Sequence, residues 1–372
     1  MTYVDAAPSV DIDLQALCAN FEAIARATPD AEAAAVVKCD AYGLGLAPVA
    51  RALALKQNCE SFFVAYAETG AALRGALQDI APASDIYIFN GPTNDTLTHY
   101  RINKLIPILN TLEQATLWAS VFPGAPAALH VDTGMNRLGL DPDELGALQK
   151  ISGLNITLIM SHFACASTPG APMLDRQYAA FKEIAAHFPE ARASLASTGG
   201  ALINADYGFD LTRLGVGLYG VGPFDGPHDQ IKPVARLTAP VLQTRRVPAG
   251  ESAGYDCTVT FDTERTLATV ALGYGDGFPR AGSNRAHAYI GVAPCPVVGR
   301  ISMDLIILDV TDAPRAVAPG DRAEFFGSNL PIEEAAAACG TIGYELLTGL
   351  GARIDRRYFW GEEAAETMLT GR

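Results

Sequence analysis

Polar residues that could take part in chemistry stand at the ends of several apolar runs in this sequence. A lone lysine at the end of a strand is more often a surface residue, and a lone histidine on an apolar strand is more often a hydrogen-bonded core residue. Five such strand ends in one chain weaken both explanations and point to one shared site. The residues concerned are Lys38, Arg137, His162, the pair Ser197 and Thr198, and Arg213.

Lys38 directly follows an apolar run and precedes the turn-forming segment 39–45, CDAYGLG. Burial lowers the pKa of a lysine, and the free amine can then form a Schiff base with a carbonyl group. Pyridoxal phosphate is the commonest cofactor with such a carbonyl, and it also needs a phosphate cradle and a partner for its pyridine nitrogen. The segment STGG (197–200) offers two hydroxyls beside glycines, and Arg213 is a candidate partner for the nitrogen.

Parallel β/α units are the elements that would bring these residues together. Between residues 33 and 222, short β-rich apolar runs alternate with segments of helical periodicity. Eight such units predict an α/β fold with an N-terminal (β/α)8 TIM-type barrel, although the periodicity is also compatible with a doubly wound sheet. The predicted strands are 33–38, 62–67, 86–90, 106–110, 127–132, 158–164, 192–197 and 213–220, and the predicted helices are 46–56, 68–77, 94–104, 111–121, 142–151 and 175–188.

The sequence beyond Pro223 changes to Pro-, Gly- and Thr-rich strand patterns, which predict a mostly β C-terminal domain. Turn formers and charges gather at 222–233, so we expect a barrel domain over 1–230 and a second domain over 231–372. Tyr255 and Tyr274 stand beside glycines there, and a tyrosine can act as an acid or base where a cation stabilises its phenolate. An ordinary turn aromatic is the alternative for each. The predicted strands lie within 234–247, 266–275, 287–300, 302–310 and 322–327.

Composition and charge restrict the class of partner. The chain has 372 residues and a formal net charge of -14, which disfavours nucleic acid and anionic membranes as partners and favours a small-molecule ligand. Its seven cysteines are scattered without a CxxC pair, so we expect buried free thiols rather than disulfides. No metal site is expected, since the sequence has no HExxH or clustered ligand spacing. The N-terminus lacks the pattern of a signal peptide, so we expect a soluble cytoplasmic protein.

A GxGxxG pattern at 215–220, GVGLYG, has the spacing of a dinucleotide-binding turn. Such a turn should follow a strand, open a helix and precede an acidic residue about twenty positions later. Pro223 and Pro227 follow here instead, so we expect no helix and assign no dinucleotide to this segment.

Several blocks of this sequence resemble, in the same order and at similar intervals, those of the pyridoxal-phosphate-dependent alanine racemases. The blocks are VVKCDAYGLG, HVDTGMNRLG, SHFA, SLASTGG, LTRLGVGLYG, AGYDCTV, LGYGDGFPR, VGRISMD and TIGYEL. The resemblance covers essentially the whole chain. It implies a barrel followed by a β domain, assembled as a head-to-tail homodimer in which each active site is completed by the C-terminal domain of the other subunit. It also implies interconversion of L- and D-alanine by two bases, which supplies D-alanine for peptidoglycan synthesis.

The family's functional residues carry over to matching positions of this chain. Lys38 would hold the cofactor and act as one catalytic base, and Tyr255 of the partner subunit would be the other. Arg213 would face the pyridine nitrogen, with His162 hydrogen-bonded behind it. The other cofactor contacts would come from Tyr42, from Ser197 or Thr198, from Tyr344 and from the amides of Gly215 and Val216, and the substrate contacts from Arg137, Met303 and Tyr274.

Two positions depart from the family pattern. His130 stands seven residues before Arg137, where many relatives carry a lysine that is often carbamylated and orients the arginine. A histidine is not carbamylated in that stable way, so an anion such as chloride, or His130 itself, must hold Arg137. Ser197 and Thr198 replace the Asn-Ser of many relatives, and Thr198 keeps the hydroxyl.

Three other functions stay open from the sequence. Pocket width cannot be read from it, so a racemase of serine or another small amino acid is one alternative. A barrel-type pyridoxal-phosphate amino-acid decarboxylase is the second, although the segment around Cys257 lacks the cysteine-containing substrate motif of those enzymes. A cofactor-binding barrel without turnover is the third, and it would leave the second domain unexplained.

Overall fold

The computed structural model describes residues 7–224, 226–361 and 363–365 of the chain. Two large sheets organise these residues, one with eight parallel strands and one with nine strands of mixed direction. None of the helices within those ranges is both long enough and apolar enough to cross a bilayer.

The eight-stranded sheet forms the predicted barrel. Each strand pairs in parallel with its neighbour along the chain, and the last strand pairs with the first. A parallel bridge between Ser197 and Arg213 closes the remaining gap. The (β/α)8 TIM-type fold is therefore confirmed. After β1 (Ser9–Asp13), the barrel strands are β2 (Glu32–Val36), β3 (Ser61–Val64), β4 (Asp85–Ile88), β5 (Ile106–Leu109), β6 (Pro126–His130), β7 (Asn155–Met160), β8 (Arg192–Ser194) and β9 (Leu211–Leu214).

The predicted strands were too long at their carboxyl ends. The clearest case is the prediction for 213–220, because β9 ends at Leu214 and a 3-10 helix, Val216–Tyr219, follows it. This 3-10 helix lies within the GxGxxG pattern, and no α-helix opens there among the described residues, as expected. Residues beyond the barrel strands remain apolar because they pack in the loops that cover the barrel face, so hydrophobicity alone does not mark where the strand ends.

Helices connect the strands of the barrel, and two further helices lie in the C-terminal part of the chain. The helical segments are α1 (Leu14–Ala25), α2 (Lys38–Tyr42), α3 (Leu46–Gln57), α4 (Ala67–Leu77), α5 (Leu97–Asn103), α6 (Leu112–Val121), α7 (Leu145–Leu148), α8 (Pro172–Ala185), α9 (Thr198–Ile203), α10 (Ile332–Ala338) and α11 (Gly343–Thr348). Of these, α2 has left-handed backbone angles and is a turn rather than a right-handed helix. Short 3-10 helices cover Asn94–Thr96, Pro142–Glu144, Ala205–Gly208, Val216–Tyr219, Tyr255–Cys257, Tyr274–Asp276 and Arg280–Gly282.

Local sequence explains how α1 forms, although it was absent from the predicted helices. The Asp13 side chain accepts hydrogen bonds from the amides of Gln15 and Ala16, at 2.9 and 3.0 Å, and so caps the helix. Such a cap contributes about 1 kcal/mol to helix stability. Leu14, Leu17, Phe21 and Ile24 recur at helical spacing and are all buried, so this face joins the continuous apolar core of the chain.

The second sheet contains the predicted C-terminal strands. Their order across the sheet is β15-β14-β17-β10-β1-β18-β19, with β13 paired to β10 and β16 paired to β13. The strands are β10 (Ala235–Val247), β11 (Ser252–Ala253), β12 (Val259–Thr260), β13 (Arg265–Val270), β14 (His287–Ile290), β15 (Ala293–Pro296), β16 (Ile306–Asp309), β17 (Arg322–Phe326), β18 (Asp355–Trp360) and β19 (Glu363–Ala364). Strands β11 and β12 form a separate hairpin.

Strand β1 joins this second sheet rather than the barrel. It pairs antiparallel with β10 and parallel with β18, with Val10 opposite Leu237 on one side and Arg356 on the other. Residues 9–13 were expected in the barrel unit. Their strand is short, and its partners lie more than two hundred residues away in sequence, so local periodicity carries no sign of this pairing.

Candidate active site

A cavity of about 590 Å³ opens at the carboxyl ends of the barrel strands. Catalytic groups in barrels of this type lie at that face, because the loops that follow the strands converge there. The structure brings most of the predicted site residues together in this cavity. They are Lys38, Tyr42, His130, Arg137, His162, Ser197, Thr198, Arg213, Gly215, Val216 and Tyr344.

Lys38 begins a turn of unusual handedness. Four consecutive residues that are not glycine have positive φ, namely Cys39 at 54°, Asp40 at 55°, Ala41 at 52° and Tyr42 at 55°. A left-handed residue with a side chain costs roughly 1–2 kcal/mol. The Ala41 amide donates to the Val37 carbonyl at 3.1 Å, and the Asp40 side chain accepts from the Leu46 amide at 2.7 Å. The turn thus connects the end of β2 to the start of α3 and directs Lys38 into the cavity.

The amine of Lys38 lies in a partly desolvated position. Its Nζ atom is 5.7 Å from the centroid of the Phe89 ring. Burial lowers the pKa of Lys38, and the positive charge of Arg137 lowers it further. A larger fraction of neutral amine is therefore present near neutral pH than for an exposed lysine, which is the form that acts as a nucleophile or base.

Arg213 is almost fully buried, with 2% of its surface exposed, and neutral groups accept its hydrogen bonds. They are the Ser194 hydroxyl, the carbonyls of Ser161 and Leu195, and Nδ1 of His162 at 3.4 Å. Burial lowers the pKa of Arg213 to about 9. A guanidinium only donates hydrogen bonds, so Nδ1 of His162 is the acceptor. Burial, followed by the charge of Arg213, lowers the pKa of His162 well below its usual range, which keeps this imidazole neutral.

Two hydroxyls converge on Gly215 on another side of the cavity. The Tyr42 ring stacks on Tyr219 with the centroids 4.4 Å apart, and a Cβ atom on Gly215 would lie 2.8 Å from the Tyr42 hydroxyl. The Gly215 amide donates a hydrogen bond to Thr198 Oγ1 at 3.1 Å, so the hydroxyl of Thr198 is the acceptor for this amide in the structure. Tyr344, from α11 of the second domain, lines the same cavity with its ring centroid 6.5 Å from that of Tyr42.

Arg137 lies on an exposed loop after β6 that a single carboxylate stabilises. Asp132 accepts hydrogen bonds from the amides of Gly134, Met135 and Asn136 at 2.7–2.8 Å. Within the described part of the chain, the Arg137 guanidinium has no ion pair or hydrogen bond of its own. The loop backbone is therefore ordered while the arginine head group remains available to a ligand.

His130 lies beneath this loop at the end of β6 and is buried. Its Nδ1 atom is 2.9 Å from Oδ1 of Asn110, which follows β5. Burial lowers the pKa of His130 to about 4, and the positive charges of Arg213 and Arg137 act in the same direction. His130 is therefore neutral at physiological pH.

Three predicted residues lie outside this cavity, on the surface of the second domain. Tyr255 is 69% exposed, Met303 54% and Tyr274 42%. Tyr274 and Met303 lie on neighbouring segments, since the amide after Tyr274, that of Gly275, donates to the Met303 carbonyl at 2.8 Å. A single chain thus presents these side chains on its surface, outside the cavity that contains its own Lys38.

The cavity lining fits an anionic cofactor with a carbonyl group. Among the described residues that line it there are two arginines and Lys38 but neither Asp nor Glu. In a chain with a net charge of -14, such a lining is a localised positive region, which favours a phosphate. A neutral amine for a carbonyl, hydroxyls beside a glycine for a phosphate and a buried arginine for a ring nitrogen are the groups that pyridoxal phosphate needs.

Sequence reasoning missed the residues that support the site from behind. Asn110 fixes His130, Asp132 orders the Arg137 loop, and Gln177 on α8 donates to the His162 carbonyl at 2.9 Å. Asn110 could have been found, because it is a polar residue at the end of a predicted strand, as Lys38 is. Gln177 gave no such signal, since it lies within an amphipathic helix.

The cysteine prediction was correct for four residues and wrong for others. All seven are free thiols, and Cys18, Cys59, Cys295 and Cys339 are buried as expected. Cys39 and Cys257 are exposed, because both lie in left-handed turns that direct them away from the core.

Comparison with known proteins assigns both halves of the chain. Residues 12–223 match the sequence model of the alanine racemase N-terminal domain, and residues 234–358 match that of the alanine racemase C-terminal domain. The alanine racemase of Methylobacterium sp. (strain 4-46) is 45% identical over 355 residues, which covers 93% of this chain and 96% of that protein. The alanine racemase of Rhizobium meliloti (strain 1021) is 42% identical over 380 residues, with coverage of 96% and 98%.

Solved structures agree with this assignment. The alanine racemase of Bartonella henselae, with covalently bound pyridoxal phosphate, superposes with a TM-score of 0.89 at 36% identity, covering 95% of this chain and all of that one. The biosynthetic alanine racemase of Pseudomonas aeruginosa gives a TM-score of 0.87 at 32% identity, with coverage of 95% and 99%. Both domains, the cavity and its residues thus lead to one conclusion: the chain belongs to the alanine racemase family.

Proposed function

We propose that this chain is an alanine racemase that interconverts L- and D-alanine with pyridoxal 5'-phosphate and supplies D-alanine for peptidoglycan synthesis. One observation carries the proposal: the desolvated amine of Lys38 lies in a cavity whose described lining has two arginines and no carboxylate. Similarity to alanine racemases over more than nine tenths of the chain supports the same reaction.

Racemisation removes a proton from one face of the α-carbon and returns a proton to the other face, so it needs two bases. Bound pyridoxal phosphate supplies an electron sink that makes the α-proton acidic. Lys38 serves as the base on one face, because its lowered pKa makes the neutral amine available. Tyr255 of the partner subunit serves as the base on the other face.

The other cavity residues bind and orient. Arg213 would donate to the pyridine nitrogen and keep its own protons, since a guanidinium holds them firmly at neutral pH. His162 would accept from Arg213 behind it, as it does here. Arg137 and the amide of Met303 would bind the substrate carboxylate, and Tyr274 would narrow the entrance. The phosphate would be bound by Tyr42, Ser197 or Thr198, Tyr344 and the amides of Gly215 and Val216.

We infer that the active unit is a homodimer with shared sites, located in the cytoplasm. The exposure of Tyr255, Tyr274 and Met303 on the second domain, outside their own cavity, supports sharing. We retain 1–230 and 231–372 as the two domains, with β1 crossing from the first into the sheet of the second.

Subunit sharing can be tested by mixing two inactive variants, Lys38→Ala and Tyr255→Phe, after unfolding and refolding together. Each mixed dimer would contain one cavity with Lys38 and the tyrosine of the other subunit. About a quarter of the wild-type rate should then return, because half of the dimers are mixed and each has one intact site of two. Sites built within one chain would give no recovery.

The reaction itself is tested in heavy water. The protein loaded with pyridoxal phosphate is incubated with L-alanine, and both D-alanine and α-deuterium are followed, with L-serine as a parallel substrate. Alanine should racemise with deuterium incorporation. A loaded protein that yields neither product is not a racemase of alanine, and faster turnover of serine would assign the alternative substrate.

The cofactor position has a separate test. Borohydride reduction of the loaded protein followed by peptide mapping should place the label on Lys38. The Lys38→Ala variant should remain unlabelled, whereas Lys56→Ala, at an exposed position on helix α3, should be labelled like the wild type. A label on another lysine would contradict the assignment.

A further inference from the structure

Tyr255 lies in a five-residue loop, 254–258, that closes the hairpin of β11 and β12. The pairing of Ala253 with Val259 fixes both ends of this loop, and the hydroxyls of Ser252 and Thr260 lie 3.0 Å apart across the hairpin. The Tyr255 side chain is 69% exposed and has little packing of its own. Its direction in this chain is therefore set by the conformation of the loop.

The loop backbone is strained next to Tyr255. Asp256 has a φ of 60° and Cys257 a φ of 47°, and neither residue is a glycine. Left-handed residues with side chains are less stable than right-handed ones, so two in succession persist only where surrounding contacts hold them. Gly254, with a φ of 74°, precedes the tyrosine. Some contact outside the loop must fix this conformation.

The contacts occur at alternate loop residues. Gly254 packs on the segment 299–300, where an added Cβ atom would lie 3.2 Å from the Arg300 amide nitrogen. The Asp256 carboxylate lies 3.0 Å from Nε of Arg300. Asn284 donates from Nδ2 to Thr258 Oγ1 at 3.2 Å. Tyr255 and Cys257 stand between these anchored positions, so their side chains project from the loop.

The contact of Asp256 with Arg300 is an ion pair rather than a linear hydrogen bond. The Nε atom of Arg300 is buried, and no acceptor among the described residues lies in line with its N–H bond. The Asp256 side chain is 67% exposed, and exposed ion pairs contribute little to global stability. The effect of this pair is therefore expected on the direction of the neighbouring residue, not on unfolding.

We propose that Asp256 and Arg300 form a positioning pair that holds the loop 254–258 in its left-handed conformation and so directs Tyr255 toward the α-carbon of the substrate. The inference rests on the proposed function for its catalytic consequence, since Tyr255 is the proposed second base. The positioning of Tyr255 itself is independent of any activity. Arg300 and Asp256 act through Tyr255 and exchange no proton with the substrate.

Asp256→Asn is the variant that isolates the ion pair. Asparagine keeps the shape of aspartate and tolerates the left-handed conformation, but it has no charge. Asp79→Asn is the matched control, because Asp79 is 62% exposed and pairs with Arg51 at 2.6 Å in the loop before β4, at the opposite end of the barrel. Both variants should unfold at the wild-type temperature.

The position of Tyr255 can be read without turnover, from 19F spectra of protein labelled with 3-fluorotyrosine. The Tyr255 signal is assigned from its loss in Tyr255→Phe. This signal should shift and change width in Asp256→Asn and remain unchanged in Asp79→Asn. An unchanged Tyr255 signal in Asp256→Asn overturns the positioning role, whether or not the protein racemises alanine.

The catalytic consequence is read from isotope effects. Turnover of Asp256→Asn should fall about tenfold, less than the hundredfold that a full 1 Å misplacement costs. In Asp256→Asn, the kinetic isotope effect of α-deuterium on turnover should be larger than in the wild type for the enantiomer whose proton Tyr255 removes. For the other enantiomer it should be unchanged. The turnover of the double variant Asp256→Asn/Arg300→Met should fall no further than that of the less active single variant, since both changes break the same contact.

The outcomes separate this inference from the proposed function. A wild-type protein that does not racemise alanine contradicts the proposed function, while the 19F result still decides the positioning of Tyr255. A racemase in which Asp256→Asn retains the wild-type rate contradicts the catalytic consequence of the pair. A fall in rate with a lower unfolding temperature and equal isotope effects for both enantiomers would mean a merely structural role and also overturns it.

Discussion

The Nδ1 atom of His130 lies 2.9 Å from Oδ1 of Asn110, and both side chains are buried beneath the cavity. The side-chain nitrogen Nδ2 of Asn110 donates to the carbonyls of Phe89 and Ile108 at 2.9 and 3.0 Å, which leaves Oδ1 facing the imidazole. Oδ1 can only accept, so the proton of the neutral ring resides on Nδ1 and the Nε2 atom is an acceptor. His130 thus offers a neutral acceptor in a cavity lined by cations.

This arrangement predicts a loss of stability at acidic pH. The pKa of His130 is lowered from its usual value to about 4 in the folded state. Below pH 6.5 the unfolded chain therefore binds a proton at this residue that the folded chain does not bind, and this favours unfolding. The contribution of neutral His130 to the free energy of unfolding is therefore fully present above about pH 6.5. It is lost as the pH falls toward 4, and the loss amounts to about 3 kcal/mol for His130 alone. The lowered pKa of His162 adds to the same loss.

Urea unfolding between pH 4.5 and pH 7.5 measures this effect. The variant His130→Gln should show a shallower dependence of the unfolding free energy on pH than the wild type. Equal slopes for the two proteins would mean that His130 does not titrate on unfolding as its environment requires.

Gly215 is predicted to favour cofactor binding because it has no side chain. A Cβ atom there would lie 2.8 Å from the Tyr42 hydroxyl, so Gly215→Ala must displace the tyrosine. Overpacking of this kind costs about 1–3 kcal/mol, and we expect the affinity for pyridoxal phosphate to fall about tenfold.

Fluorescence titration with pyridoxal phosphate gives the dissociation constant. Gly75→Ala is the control, since an added Cβ atom meets nothing within 4 Å at this exposed position in α4. It should stabilise the protein by about 0.5–1 kcal/mol and leave cofactor affinity unchanged. A Gly215→Ala variant with wild-type affinity would show that Tyr42 can move without loss.

The left-handed turn after Lys38 predicts a stabilising substitution. Cys39 is exposed, has a φ of 54° and makes no side-chain hydrogen bond among the described residues. Cys39→Gly removes the energetic cost of a left-handed residue with a side chain, which is roughly 1–2 kcal/mol. The greater backbone entropy of glycine in the unfolded chain offsets part of this gain. A net gain of about 1 kcal/mol is expected.

Chemical denaturation checks this value. Cys165→Gly provides the comparison, because Cys165 is a partly exposed free cysteine without positive φ. This variant should lose about 0.5–1 kcal/mol of unfolding free energy. If both glycine variants are destabilised alike, the turn at Cys39 is not strained.

Much of the barrel and its cavity could be predicted from sequence because the signals are local. Most barrel strands lie within short apolar runs, and Lys38, His162 and Ser197 stand within three residues of a strand end. Parallel strands carry their ends to one face, so residues at strand ends converge without any knowledge of tertiary contacts. Strand lengths were less accurate, since the apolar loops beyond β9 and β7 continue the same pattern.

The remainder depends on contacts between distant segments. The pairing of Arg300 with Asp256 joins two turns of the second domain, and neither turn has a periodic pattern that reveals the other. The hydrogen bond between His130 and Asn110 also depends on the pairing of strands β5 and β6, which brings the two residues together. Backbone handedness at Cys39 and Cys257 is equally hidden, because sequence preference alone would put glycine or asparagine there.

The position of β1 between β10 and β18 has a consequence for the order in which the chain assembles. Strand β1 is made before β18 and cannot pair with this parallel neighbour until residues 355–360 have been synthesised. Segments more than three hundred residues apart are therefore joined in one sheet, with the barrel residues between them in sequence. Folding of this sheet should accordingly finish only after residues 355–360 have been made, rather than domain by domain.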